Sequence, residues 1–218
     1  MKTKILILAL LSVAALTADV SAQMVDNTTL KQVNDEAKKN NQTTAITTDE
    51  MTAALKQAEK EGKFRLAADY YGELIKQNPE NIEYYNSRGS ILMNNLKEFK
   101  AAVKDFEQVI RLNAKEPAGF FNRGTAYLNL SDWKKAKKDY DTALALNPAF
   151  VDALLNRGIA SLNTKEVDLA IADFEQGMSL SPKMANLYRA RAIAYKLKGN
   201  PALAQADELR AAQLDRGQ

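Results

Sequence analysis

Asn122-Arg123-Gly124-Thr125-Ala126-Tyr127 is the stretch that sets the architecture of this chain of 218 residues. Trp133, Tyr140 and the pair Asn147-Pro148 follow it, and the same order of residue types begins again at Asn156-Arg157-Gly158, 34 residues after the first copy. A fixed period of roughly 20–50 residues is the signature of a solenoid, in which each repeat packs on its neighbours. The stretch therefore predicts a repeat protein.

The period extends on both sides of this stretch, to five copies in all. A typical copy holds a small residue preceded by arginine, then an alanine, then an aromatic residue four positions later, and often a proline. The small residues are Gly89, Gly124, Gly158 and Ala192; the alanines are Ala67, Ala102, Ala136, Ala170 and Ala204; the aromatic residues are Tyr71, Phe106, Tyr140 and Phe174. The prolines are Pro79, Pro148 and Pro182.

Each copy is predicted to form a helical hairpin. The segments are rich in Ala, Leu, Lys and Glu, which favour helices, and proline ends a helix because it cannot continue the backbone ladder. The small residue of the first helix and the alanine of the second let the two helices approach closely, and the aromatic residue fills the space toward the next copy.

These residues, above all 122–127 with Trp133, Ala136, Tyr140 and Asn147-Pro148, resemble the tetratricopeptide repeat family. The resemblance implies an all-α fold, a right-handed superhelical solenoid of about five antiparallel helix pairs, in which the first helices line a concave groove. The repeats are expected near 48–81, 82–116, 117–150, 151–184 and 185–218.

Three departures from the pattern carry expectations of their own. Leu55 stands at the small position of the first repeat, which is expected to open that helix pair slightly. One extra residue in 94–98 predicts a longer internal turn in the second repeat. Glu208 replaces the aromatic residue of the fifth repeat, so the last helix is expected to present a polar face to water, as a terminal repeat requires.

The chain begins with an expected signal peptide. Residues 1–22 combine Lys2 and Lys4 with an apolar run too short to span a bilayer and a small-residue site before Gln23. Cleavage there predicts an exported protein, periplasmic or secreted, with no integral membrane span. Residues 23–47 are polar and are expected to form a flexible spacer, with a short helix marked by Leu30, Val33 and Ala37 as the alternative.

The composition excludes several kinds of chemistry. The sequence has no His and no Cys, which rules out a Ser-His-Asp triad, a His-ligated zinc site and a disulfide. No spacing of carboxylates indicates a catalytic or metal site, so we expect a non-enzyme without cofactors. A formal net charge of +3 does not favour nucleic acid as a partner.

Two charged series have structural interpretations. The arginines Arg88, Arg123, Arg157 and Arg191 match the aspartates Asp105, Asp139, Asp173 and Asp207 in register, and are expected to form ion pairs that set helix register. Lysines also cluster on the second helices of repeats two and three. A patch for anionic lipid is one interpretation; a solvated outer face is favoured, because acids are interspersed: Glu98, Asp105, Glu107, Asp132 and Asp141.

The candidate binding site is a stripe on the first helices. It is offset by one residue from the stripe that holds the small residue and faces the core. Its residues are Asn86, Ser90, Asn94, Phe121, Thr125, Asn129, Leu155, Ile159, Asn163, Arg189 and Ile193. Apolar residues on a concave surface indicate a partner site. Two alternatives stay open: the apolar members pack on neighbouring first helices, or Asn94, Asn129 and Asn163 bond to the ends of their own helices.

This pattern favours a non-catalytic adaptor that binds an extended or helical segment of another protein or peptide in the groove. The alternative is a structural subunit of an envelope assembly that acts through its convex face or through residues 23–47, including by self-association.

Overall fold

The computed structural model describes residues 47–217, which contain ten α-helices and no strand. The helices are α1 Thr48–Lys60, α2 Phe64–Gln77, α3 Ile82–Asn94, α4 Phe99–Leu112, α5 Pro117–Asn129, α6 Trp133–Leu146, α7 Val151–Asn163, α8 Val167–Leu180, α9 Ala185–Leu197 and α10 Pro201–Asp215. They follow one another as five pairs, each in contact with the next helix in the chain. The predicted all-α solenoid of helix pairs is confirmed. The signal peptide and nearly all of the predicted spacer lie outside the described residues.

The turn inside each pair has a fixed geometry. The residue two positions before the second helix has a positive φ in every pair: Gly62 at 69°, Lys97 at 57°, Ser131 at 59°, Lys165 at 65° and Gly199 at 76°. The next residue then donates its amide to a carbonyl in the last turn of the first helix, as Asp132 does to Tyr127 at 2.9 Å. The turn of the second pair is one residue longer than the others, as the sequence predicts.

The small position and the aromatic position of the same repeat meet in the core, a contact not predicted from the sequence. Tyr140, Phe106 and Phe174 are fully buried. The five alanines at the repeat position, from Ala67 to Ala204, are fully buried as well. A Cβ atom built on Gly158 would lie 2.3 Å from Cε1 of Phe174. In repeats two to four the aromatic ring therefore occupies the space that a side chain at the small position would need.

Four ion pairs tie the helices of repeats two to five together. Arg88, Arg123, Arg157 and Arg191 each bind the aspartate of their own repeat through two hydrogen bonds. In the third of these pairs Nε of Arg157 lies 3.0 Å from Oδ2 of Asp173, and Nη2 lies 2.6 Å from Oδ1. The hydrogen bonds to Asp173 raise the pKa of Arg157 above its usual value. The predicted pairing is therefore present in all four repeats.

Two of these arginines also reach the preceding repeat. Nη1 of Arg157 lies 2.7 Å from Asp141 on α6, and Nη1 of Arg191 lies 3.2 Å from Glu175 on α8. One guanidinium thus holds its own helix pair and the one before it in register.

The first helices lie on the inner side of the array. α3 contacts α5, α5 contacts α7 and α7 contacts α9, whereas no comparable contact joins successive second helices among residues 47–217. Helices that approach one another on one side and diverge on the other give a concave inner side. Within this part of the chain no helix is both long enough and apolar enough to cross a bilayer.

Burial of Tyr140 makes the stability of the array sensitive to alkaline pH. Burial raises the pKa of Tyr140 to about 12, above its usual value of about 10. The contribution of the neutral phenol is complete below pH about 10 and is lost as pH rises through about 12, because the unfolded chain ionises first. We expect Tyr140→Phe to flatten the decline in the free energy of unfolding across this window. Urea titrations of both proteins at several pH values measure it; parallel declines would contradict the assignment.

Candidate functional site

The candidate site is the inner stripe, which we define as the eleven predicted binding residues on α3, α5, α7 and α9. The structure divides this stripe into three parts with different exposure and chemistry.

The part on α3 is polar. Asn86 and Ser90 are half-buried and Asn94 is exposed. Oδ1 of Asn86 is buried and has no hydrogen-bond partner among the described residues. Met93, which shares this face, is buried and belongs to the core. This end of the stripe therefore offers one hydrogen-bond acceptor that the fold itself does not use.

The part on α5 and α7 is apolar but half-buried. The Phe121 ring lies 4.7 Å from that of Phe150 and 6.0 Å from that of Tyr140. Leu155 and Ile159 pack against a buried cluster that includes residues of α9. Much of the surface of these three side chains is therefore packed against other residues of the array.

The asparagines of this part bond to their own helices. Nδ2 of Asn129 donates to the carbonyl of Thr125 at 2.8 Å, and Nδ2 of Asn163 donates to the carbonyl of Ile159 at 2.9 Å. Oγ1 of Thr125 donates to the carbonyl of Phe121 and accepts a hydrogen bond from Oη of Tyr140 at 3.3 Å. The two amides therefore bond to carbonyls in the last turns of α5 and α7, as the second alternative expects for Asn129 and Asn163.

The part on α9 is open. Ile193 is 54% exposed and Leu197, one turn later, is 61% exposed. Arg189 is also exposed, but its guanidinium pairs with Asp215, so it does not present an unpaired positive charge on this surface. Lys196 pairs with Glu208. The fifth repeat thus shows apolar side chains bordered by ion pairs.

One exposed residue of this end was missed in the sequence. Leu209 on α10 is 59% exposed. It stands at the position where Asp141 and Glu175 bind the arginine of the following repeat. The change from an acid to leucine was visible in the repeat register and marks the last repeat. The final helix therefore exposes an apolar side chain to water beside Glu208, which is exposed as expected.

A model of the tetratricopeptide repeat matches residues 52–117 and 121–185, which is more than half of the chain. The chain belongs to the tetratricopeptide repeat family. This match agrees with the repeated order of small, alanine and aromatic residues that form the core. No curated protein matches the sequence.

Solved structures share the fold at low sequence identity. MamA from Desulfovibrio magneticus RS-1 superposes with a TM-score of 0.72 at 19% identity, over 80% of this chain and 99% of that one. A second MamA structure gives 0.70 at 22% identity, over 78% and 93%. YrrB, described as a tetratricopeptide repeat protein with an unusual peptide-binding site, gives 0.62 at 18% identity, over 83% and 91%.

Between residues 47 and 217 no group of three acidic side chains is arranged to hold a metal ion. The stripe offers hydrogen-bonding groups on α3 and exposed aliphatic side chains on α9.

Proposed function

We propose that this protein is a non-catalytic scaffold that binds a segment of another protein or peptide along its inner stripe. The tetratricopeptide repeat is a protein-interaction fold, and its first helices here form a concave side. The finer assignment, to the stripe itself, draws support from the exposure of Ile193 and Leu197.

Ile193 and Leu197 carry the proposal. Both are more than half exposed on one face of α9, although their equivalents on α7 are Ile159, which is half-buried, and Asn163. Neighbouring apolar side chains left in water mark interaction sites. A partner that covers them gains the free energy of removing this surface from water.

Asn86 adds a polar requirement at the other end of the stripe. A buried acceptor without a donor costs about 1–3 kcal/mol. A backbone amide of a bound segment would supply the missing donor once the half-buried Asn86 side chain turns its buried Oδ1 toward the stripe surface. YrrB, with the same fold, has a peptide-binding site by its description. We therefore expect a partner segment with aliphatic anchors and an accessible backbone.

Ile193→Glu is expected to weaken partner binding at least about tenfold, because a buried anchor in an interface commonly contributes about 2 kcal/mol or more. The measurement is affinity capture on the immobilised full chain from an extract of its native cells, followed by titration of the captured protein. The far-ultraviolet helical signal is expected to be unchanged, because Ile193 is 54% exposed.

Leu169→Glu is the matched control. Leu169 is 56% exposed but lies on the second helix α8. A partner retained by this variant and lost by Ile193→Glu supports the inner stripe. Equal binding by both variants would reject the stripe, and loss only on deletion of residues 23–47 would favour the structural-subunit alternative.

A further inference from the structure

Four lysines form an exposed patch on the second helices of repeats two and three. Lys100 and Lys104 lie one turn apart on α4, and Lys134 and Lys138 lie at the equivalent positions of α6. All four are exposed, and none has a salt-bridge partner among residues 47–217. We call these four residues the outer lysine patch.

The acids interspersed in the sequence do not neutralise this patch. Glu98 pairs with Arg65, and Asp105 is buried against Arg88. Asp132 pairs with Lys135 at 2.7 Å, and Asp141 pairs with Arg157 at 2.7 Å. Of the five acids that favoured a solvated outer face, four are therefore committed to other cations. Glu107 is the remaining one.

The patch is confined to the middle of the array. At the position of Lys100 the first repeat has Arg65, which pairs with Glu98, and the fourth has Asp168, which pairs with Lys198. The fifth repeat has Ala202 there. The lysines are thus a feature of repeats two and three and not of the repeat pattern itself.

Two shallow grooves lie between successive repeats beside the patch lysines. Lys100 and Lys104 line one groove together with Tyr127 and Lys135 of the third repeat. Lys134 and Lys138 line the next one together with Thr164 of the fourth repeat. The patch lysines therefore flank two separate grooves, and each groove also holds two carboxylates. All of these carboxylates except Glu107 pair with other cations.

We propose that the outer lysine patch docks the array on an anionic lipid bilayer. Clusters of about four to eight basic side chains bind acidic headgroups, each contributing through a field that does not require fixed geometry. Lysine suits this role as a flexible point charge, whereas recognition of single carboxylates favours the planar fork of arginine.

The position of the patch favours a membrane over an acidic protein segment. A flat surface can meet a convex one over its middle only, and the four patch lysines lie in the second and third of five repeats. The grooves beside them are shallow and include no exposed leucine or isoleucine that would anchor a peptide. Docking on this side leaves the inner stripe free for the partner proposed above.

The test is cosedimentation of the full chain with vesicles. One set is pure phosphatidylcholine and the other contains about one third phosphatidylglycerol, an anionic lipid. Substitution of the four patch lysines by glutamine is expected to lower the partition coefficient on anionic vesicles at least about tenfold. Raising the salt concentration is expected to release the unaltered chain, since exposed charges are screened.

Four other exposed lysines without salt bridges provide the matched control of equal charge: Lys56, Lys60, Lys115 and Lys183. Their replacement by glutamine is expected to change binding less than about twofold. All variants share residues 1–46, so any apolar contribution of that segment cancels in the comparison.

Other outcomes overturn the proposal. Equal losses in the two variants would assign binding to net charge alone. Equal binding of the unaltered chain to both vesicle sets would assign it to apolar contacts. No binding to anionic vesicles, with lysine-dependent binding of soluble polyglutamate, would replace the bilayer by an acidic protein as the partner.

Discussion

Gly158→Ala is expected to lower the free energy of unfolding by about 2–3 kcal/mol, although alanine is the better helix former by about 1 kcal/mol. The added Cβ would lie 2.3 Å from Cε1 and 2.7 Å from Cζ of Phe174. Phe174 is fully buried, so its ring has no open space into which to move. The two helices of the fourth repeat must therefore separate or the ring must leave its preferred rotamer.

Gly72→Ala is the matched control for this prediction. The nearest atom to a Cβ at Gly72 is Nη1 of Arg88 at 3.3 Å, the guanidinium nitrogen that does not bond to Asp105, and a shift of a few tenths of an ångström relieves this contact. This substitution is expected to stabilise the protein by about 0.5–1 kcal/mol through helix propensity alone. Urea unfolding followed by circular dichroism measures both changes. The same sign for the two variants would show that close approach does not limit the Gly158 position.

A third variant tests whether Phe174 is the obstacle. Phe174→Leu shortens the side chain that the new methyl group meets, so it is expected to cost less in the Gly158→Ala protein than in the unaltered one. The coupling in such a double-mutant cycle is expected to be about 1 kcal/mol or more for residues in contact. Additive effects would place the strain at another neighbour.

The sequence predicted the fold well because the repeat makes each position visible five times. The small, alanine and aromatic positions, the longer turn at 94–98 and the four arginine–aspartate pairs all follow from the register. These features depend on contacts within one repeat or with the next, and such contacts recur at a fixed spacing. The family model matches residues 52–117 and 121–185, which agrees with a fold that such local contacts determine.

The inner stripe was less predictable, because exposure depends on what the neighbouring repeat covers. Phe121 and Ile193 are both apolar stripe residues, yet the first packs on Phe150 and the second is 54% exposed. The sequence also shows which acids lie near the lysines, but not with which cations these acids form ion pairs. Asp141 is close to Lys138 along α6 and pairs with Arg157 of the next repeat.

Asp173→Ala is expected to destabilise the protein by about 2–3 kcal/mol, the second large effect. The substitution leaves the Arg157 guanidinium, whose side chain is 26% exposed, without its two bonds to a carboxylate that is 8% exposed. Breaking a fully buried pair costs about 3–5 kcal/mol, and partial access to water lowers that penalty here. Arg157→Met combined with Asp173→Leu is expected to cost much less, since no buried charge is then left unpaired and the released Asp141 carboxylate is 58% exposed.

Asp141→Ala separates this effect from simple loss of an ion pair, because Asp141 binds the same guanidinium from a position where its side chain is 58% exposed. Exposed pairs contribute about 0–1 kcal/mol, so this variant is expected to remain within 1 kcal/mol of the unaltered protein. Unfolding in urea at neutral pH gives all three free energies. Equal losses for Asp141→Ala and Asp173→Ala, or a double variant as unstable as Asp173→Ala, would mean that the buried pair does not hold the helices of the fourth repeat together. The expected order instead makes the bond of Arg157 to Asp173, inside the fourth repeat, its dominant contribution to stability, and its bond to Asp141 of the third repeat a minor one.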